Sequence, residues 1–147
     1  AVMTPKDIEL VQQTFAKIAP IAEQASDMFY ARLFNLDPSL KSLFKTDMEE
    51  QGKRLMAMIS VAVKGLDNIA ELVPAVQDLG QRHAGYGVRD EHYATVGVAL
   101  LGTLEEALGS EFTPEVKEGW SNVYKVLAST MMEAANISSK GTQQAAG

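Results

Sequence analysis

Cysteine is absent from this 147-residue chain. Disulfides, thiolate metal sites and a cysteine nucleophile are therefore excluded together, and a reducing compartment is compatible with the count. Aromatic residues make up only 7% of the sequence, with a single tryptophan. Basic charge is also short: 13 Lys and Arg stand against 19 Asp and Glu, a formal net charge of −6. With an isoelectric point near 4.9, the chain repels polyanions in general, so nucleic acid is not an expected partner. Long hydrophobic runs are missing as well. The longest, around Leu55–Val63, is interrupted by Ser60 and is too short to span a bilayer. No apolar block of signal-peptide type stands near the first residues. What remains is ordinary for a soluble globular chain, with 46% hydrophobic and 22% charged residues. The expectation is one cytoplasmic domain over residues 1–137, followed by a small, polar, disordered tail at 138–147.

Sustained period-two alternation is also lacking, so no strands are predicted. Helix grammar is plentiful. Thr4-Pro5-Lys6-Asp7 supplies a hydroxyl cap, a proline in the first helical position and an acid in the first turn. Ile8, Val11, Phe15 and Ile18 follow at helical spacing as far as Pro20, and Ala25, Phe29 and Leu33 continue at steps of four. Asp37-Pro38 opens a short helical segment ending near Phe44. Thr46-Asp47 starts a helix through Gly65, apolar nearly all round from Leu55 to Val63 and so expected to be central and buried. Pro74 predicts a break, with a fresh helix from there to about His83. Arg89-Asp90-Glu91 precedes a helix ended by Gly109, and Thr113-Pro114-Glu115 starts the last one. The fold class read from this pattern is all-α, with seven or so helices and short connections.

Chemistry concentrates on few residues. Val76, Leu79 and His83 are three and then four apart, so they share a helix face, and Gly85 and Gly87 follow as stop signals. An imidazole at the end of an apolar stripe is either a core histidine bonded to a carbonyl or a metal ligand kept from water, and burial tendencies favour the first. His92, in a first helical turn, reads as a surface residue. There is no His-Glu-x-x-His, calcium loop, paired Glu-x-x-His, phosphate loop or nucleophile elbow. One imidazole cannot hold a bare metal ion tightly, but it can be the axial ligand of an iron already held by four porphyrin nitrogens. Gln51 and Leu55 share a face of their helix, with an exposed first-turn glutamine as the plain alternative. Tyr30 and Phe44 read singly as core aromatics, and Met56, Met58, Met131 and Met132 as core filler.

Several of these pieces in order resemble a known family. Phe29-Tyr30-x-x-Leu33-Phe34 with Pro38 and Leu43-Phe44 is similar to the second and third helices of globins. Gln51-x-x-x-Leu55 resembles their distal helix. Arg82-His83, His92-Tyr93-x-x-Val96-Gly97 and Trp120-x-x-x-Tyr124 resemble the proximal half. The resemblance runs from about Lys6 to Met132 and is strongest to single-domain bacterial haemoglobins and the haem domain of flavohaemoglobins. Leu79-Gly80-x-x-His83 and Phe112-Thr113-Pro114 add neuroglobin-like features.

The resemblance implies a globin fold, seven to eight helices in a 3-over-3 sandwich around haem b. It implies His83 as the iron's proximal ligand, with Phe44, Leu55, Leu79, Arg82, Val88, Tyr93 and Val96 against the porphyrin. Tyr30 and Gln51 would point at the sixth coordination position, where a phenol and an amide can donate to dioxygen. Gln51 is a poor iron ligand, which implies a five-coordinate ferrous state. In flavohaemoglobins a tyrosine and a glutamate bracket the proximal histidine. Tyr93 matches the tyrosine, but Ala135 stands at the acid position with Glu133 two residues off, so a backbone carbonyl is the expected partner of His83. The implied function is reversible binding of dioxygen or another diatomic gas, for storage or delivery. The enzyme alternative is nitric oxide dioxygenation with an external reductase, since no flavin or nicotinamide motif is present in the sequence. A gas sensor or a haem-free interaction module is the third reading. A monomer or small homo-oligomer is expected.

Overall fold

In a computed structural model of the chain, residues 3–146 are described, with side chains as far as Asn136. The tail expected over 138–147 lies outside the fully described residues. Six α-helices and four short 3-10 segments are present, and no strand occurs among the described residues. The all-α expectation holds. The helix count differs because the segment after Asp37 and three of the corners wind as 3-10 turns.

Helix α1 (Pro5–Ile18) begins on a capping box. The Thr4 hydroxyl accepts from the Asp7 amide at 3.1 Å, and the Asp7 carboxylate accepts from the Thr4 amide at 2.9 Å. Asp7 is itself buried, and Asn122 of α6 (Pro114–Ala146) donates to it at 3.1 Å. The first turn of the chain is thus tied to its last helix. Helix α2 (Ala22–Leu36) leads into a 3-10 segment, Pro38–Leu43, capped by the Asp37 carboxylate, which accepts from Ser39. Helices α3 (Met48–Gly65), α4 (Ile69–Gly85) and α5 (Asp90–Leu108) follow.

Two apolar clusters form between these helices. The larger joins Val11, Phe15 and Ile18 of α1 to Leu72 and Val76 of α4, Leu104 and Leu108 of α5, and Val116, Trp120 and Val123 of α6. Each fully buried Leu or Val here contributes roughly 1.5–3 kcal/mol relative to exposure. Trp120 keeps its polar atom satisfied: the indole N–H donates to Thr14 Oγ1 at 2.8 Å, and that hydroxyl donates to the Leu10 carbonyl at 2.7 Å. The smaller cluster, around α2 and the Pro38–Leu43 segment, builds the candidate site.

Two sequence expectations are corrected. Helix α4 does not break at Pro74; it runs through from Ile69. Pro74 and Ala70 both lie on the exposed face, so the ring projects into water and solvent meets the Ala70 carbonyl that proline leaves unbonded. Helix α3 is not buried all round, for only Gly52 and Val63 reach full burial and Val61 is 63% exposed. Its apolar side chains are split between neighbours: Met56, Ile59 and Val63 pack on the larger cluster and Leu55 on the smaller, leaving Ala57 and Val61 outward. No helix among the described residues is long and apolar enough to cross a membrane.

Candidate functional site

One part of the site is a group of four rings. Tyr30 on α2 meets Phe29 edge-on at 5.1 Å between centroids, stacks on Phe34 at 5.9 Å and meets Phe44 edge-on at 5.4 Å. Phe44 also meets Phe34 edge-on at 5.4 Å. These are the offset and T-shaped arrangements that ring quadrupoles favour. Phe44 owes its place to the 3-10 segment, which ends in extended backbone with the Phe44 amide bonded to the Lys41 carbonyl at 3.1 Å. Leu55 of α3 and Val96 of α5 pack on the same cluster, with Leu33, Leu40 and Ala99 buried beneath. Four residues singled out by resemblance, Tyr30, Phe44, Leu55 and Val96, are therefore brought together. Tyr30 is 9% exposed, and burial alone pushes its phenol up to about 12. It stays a protonated donor throughout the physiological range.

The other part is organised by the end of α4. The fully buried seam of this helix runs Leu72, Val76, Gly80, with Leu79 and His83 half-buried beside it. Gly80 meets α6 backbone to backbone: a Cβ there would stand 2.3 Å from the Met131 carbonyl oxygen, so no side chain fits. The helix closes on a Schellman turn built around His83. The Val88 amide bonds the His83 carbonyl at 3.0 Å and the Gly87 amide bonds that of Ala84 at 3.1 Å, with Gly87 at φ +97°. Gly87 also lies against Leu43, which links this turn to the segment carrying Phe44.

The His83 imidazole is held by its own helix. Nδ1 lies 2.8 Å from the Leu79 carbonyl, which can only accept, so Nδ1 carries the proton and Nε2 presents its lone pair. Burial lowers the imidazole pKa; the Leu79 bond opposes this and the Arg82 charge adds to it. The ring is neutral at neutral pH, as metal ligation requires. The partner is the backbone carbonyl expected from the sequence.

Arg82 is exposed and pairs with Asp78 at 3.1 Å. Val88 is half-buried in the Schellman turn. Tyr93 is buried on α5, and the Tyr124 hydroxyl donates to its backbone carbonyl at 2.6 Å. Burial holds the Tyr124 phenol well above its ordinary value. Tyr124 also lies over Gly97, where a Cβ would come within 3.0 Å of its ring. The resemblance had assigned Tyr124 no contact, since its partner is fixed only by the α5–α6 crossing. His92 caps α5, accepting from the Arg89 amide at 2.9 Å through Nδ1. Gln51 is half-buried one turn before Leu55, and its amide donates to Thr46 Oγ1 at 2.6 Å.

Behind Leu55 lies a cavity of about 20 Å³, bordered by Phe29, Ile59, Leu100, Thr103 and Trp120 among others. Its polar neighbours are satisfied elsewhere: the Thr103 hydroxyl donates to the Ala99 carbonyl at 2.9 Å and Trp120 donates to Thr14. The space is lined by apolar atoms, so a water there would find no partner.

These features fit a haem. One neutral imidazole offers a single nitrogen, and the aromatic wall and half-buried Leu79, Val88 and Val96 supply apolar surface. Among the described residues no group of three or more His, Asp or Glu could hold a metal ion as a cage.

Comparison with known proteins follows the same line. The globin family model matches residues 27–131. The flavohaemoprotein of Vibrio cholerae is 30% identical over 134 residues, which is 89% of this chain and 34% of that protein. The flavohaemoprotein of Rhodopirellula baltica is 33% identical over 129 residues, 86% of this chain and 32% of that protein. The chain thus spans about a third of the length of these curated relatives. An engineered carbene transferase from Rhodothermus marinus superposes with a TM-score of 0.87 at 22% identity, over 97% of this chain and 99% of that one. A bacterial globin from Campylobacter jejuni gives a TM-score of 0.81 at 24% identity, over 93% and 99%. The chain has the globin fold and belongs to the globin family.

Proposed function

We propose that this chain holds haem b through Nε2 of His83 and reversibly binds dioxygen, or another diatomic gas, beside Tyr30. Bound haem would supply an iron able to take the gas; the protein supplies the rest. The observation that carries the reading is the Leu79-anchored His83 imidazole, whose Nδ1 proton leaves the Nε2 lone pair free to ligate; Tyr30 stands in the aromatic cluster with Phe44 and Leu55, its phenol kept protonated by burial. Leu79 orients the His83 ring and fixes its tautomer. Phe44, Leu55, Leu79, Val88, Tyr93 and Val96 would exclude water, and Arg82, paired with Asp78 on the exposed face of α4, would add positive charge near the cofactor. Tyr30 donates to the partial negative charge of dioxygen.

The relatives' name, flavohaemoprotein, favours a second reading in which a separate reductase supplies electrons for nitric oxide dioxygenation. Sustained nitrate formation with such a reductase, beyond one turnover, would separate it from simple gas binding. The primary reading is tested by His83→Gly. After haem supplementation the wild-type chain should show a Soret band and the variant a weakened or displaced one, restored by added imidazole. A variant spectrum identical to wild type would place the iron ligand elsewhere.

A further inference from the structure

Gln51 and Thr46 occupy positions with a known local meaning. Asp47 is the N-cap of α3, so Thr46 is the residue before the cap and Gln51 the fourth helical residue. In ordinary helices an apolar pair at these two places packs together and fixes the entry angle of the chain. Here the pair is polar, and the Gln51 amide donates to Thr46 Oγ1 at 2.6 Å. Neither Thr46 nor Asp47 caps the helix with its side chain, so the Thr46 hydroxyl serves Gln51 instead. The bond also settles where the amide is. Gln51 lies one turn before Leu55, which packs in the Tyr30–Phe44 cluster, yet the amide nitrogen is turned back to the exposed corner at Thr46.

We propose that Thr46 is a positioning residue that latches Gln51 out of the distal pocket, leaving Tyr30 as the principal donor there. The inference rests on the reading that this pocket takes a haem and a diatomic gas. Its size follows from competition between two bonds. If the latch and a bond from Gln51 to the gas are each of ordinary hydrogen-bond strength, each carries a statistical weight of about five against the free amide. In the wild-type chain Gln51 then retards dissociation less than about twofold, because the latched state competes. With the latch removed, the retardation rises to about sixfold.

The test uses the full haem-loaded chain and five forms: wild type, Thr46→Val, Thr46→Ser, Gln51→Leu and the Thr46→Val, Gln51→Leu double variant. Dioxygen dissociation and the C–O stretching band of the carbon monoxide adduct are read for each. Thr46→Val should slow dissociation about threefold and shift the band toward stronger hydrogen bonding. Thr46→Ser keeps the hydroxyl and should match wild type. Gln51→Leu should matter little alone and about sixfold in the Thr46→Val background. A bond that only starts the helix would move the melting temperature and leave these readouts unchanged. The latch is overturned if Thr46→Val matches wild type, or if Gln51→Leu alone speeds dissociation as strongly as Tyr30→Phe. A wild-type chain with no Soret band overturns the gas-binding reading and the latch with it.

Discussion

Removing one oxygen atom from Tyr30 is the sharpest perturbation of the proposed pocket. The Tyr30→Phe ring keeps its contacts with Phe29, Phe34 and Phe44, so packing is preserved. No protein hydrogen bond contributes to the hydroxyl's pKa, so its loss should change the melting temperature little. A gas ligand carrying partial negative charge is affected differently. A hydrogen bond to a neutral acceptor has a net worth of about 1 kcal/mol and one to a full charge about 1.5–3 kcal/mol. Dioxygen lies between, at about 1–2 kcal/mol, which corresponds to about a fivefold to thirtyfold faster dissociation. Carbon monoxide accumulates far less charge and serves as the internal control, with an expected change below about twofold. Because burial pushes the phenol up to about 12, the effect should be flat from pH 6 to pH 9. Stopped-flow displacement of dioxygen by carbon monoxide measures the rate directly. An unchanged or slower dissociation, or equal acceleration for both gases, would mean that Tyr30 is ordinary packing.

Two further perturbations test the frame that holds the site. Gly80→Ala should destabilise the chain by ~1–3 kcal/mol in urea unfolding, since the new Cβ meets the Met131 backbone and outweighs the ~1 kcal/mol helix-propensity gain. Gly85→Ala, with nothing within 4 Å, is the control and should be neutral or stabilising. Asp7→Asn tests the buried capping box. The Thr4 amide holds the Asp7 carboxyl below its ordinary value, against a rise from burial, and Asn122 adds to the lowering. A depressed carboxylate stabilises the fold above its unfolded value of about 3.9, and that contribution is lost as pH falls through the folded value. The stability gap between wild type and Asp7→Asn should therefore be widest above pH 5 and shrink below pH 4; a constant gap would contradict the assignment.

Local grammar was legible and distant partnership was not. The Thr4 and Asp37 caps, the prolines that start helices and the stop after His83 are written within a few residues of their effect, and they appear where the sequence puts them. Tyr30 and Phe34 lie four apart on one helix face, but Phe44 comes from the segment after α2, and only the family resemblance grouped it with them. Pro74 misled because its cost depends on which face of α4 is wet, which no local rule states. The Leu55–Val63 run misled because apolar content does not say how many neighbours share it. Bonds between distant residues, such as Trp120 to Thr14, Asn122 to Asp7 and Tyr124 to the Tyr93 carbonyl, follow from helix crossings. The close approach at Gly80 has the same origin, and the glycine itself carries no signal of what it meets. The Thr46–Gln51 bond is the opposite case: it is local, but both residues read first as helix-start polar groups.

The central claim is that His83 alone ligates a haem iron while Gln51 leaves the sixth position open. An absorption spectrum of the reduced, haem-loaded chain without added gas tests it directly. The expected result is a five-coordinate high-spin ferrous spectrum that converts to a six-coordinate form on adding carbon monoxide. A reduced spectrum dominated by a six-coordinate low-spin form, or no Soret band after haem supplementation, would contradict it.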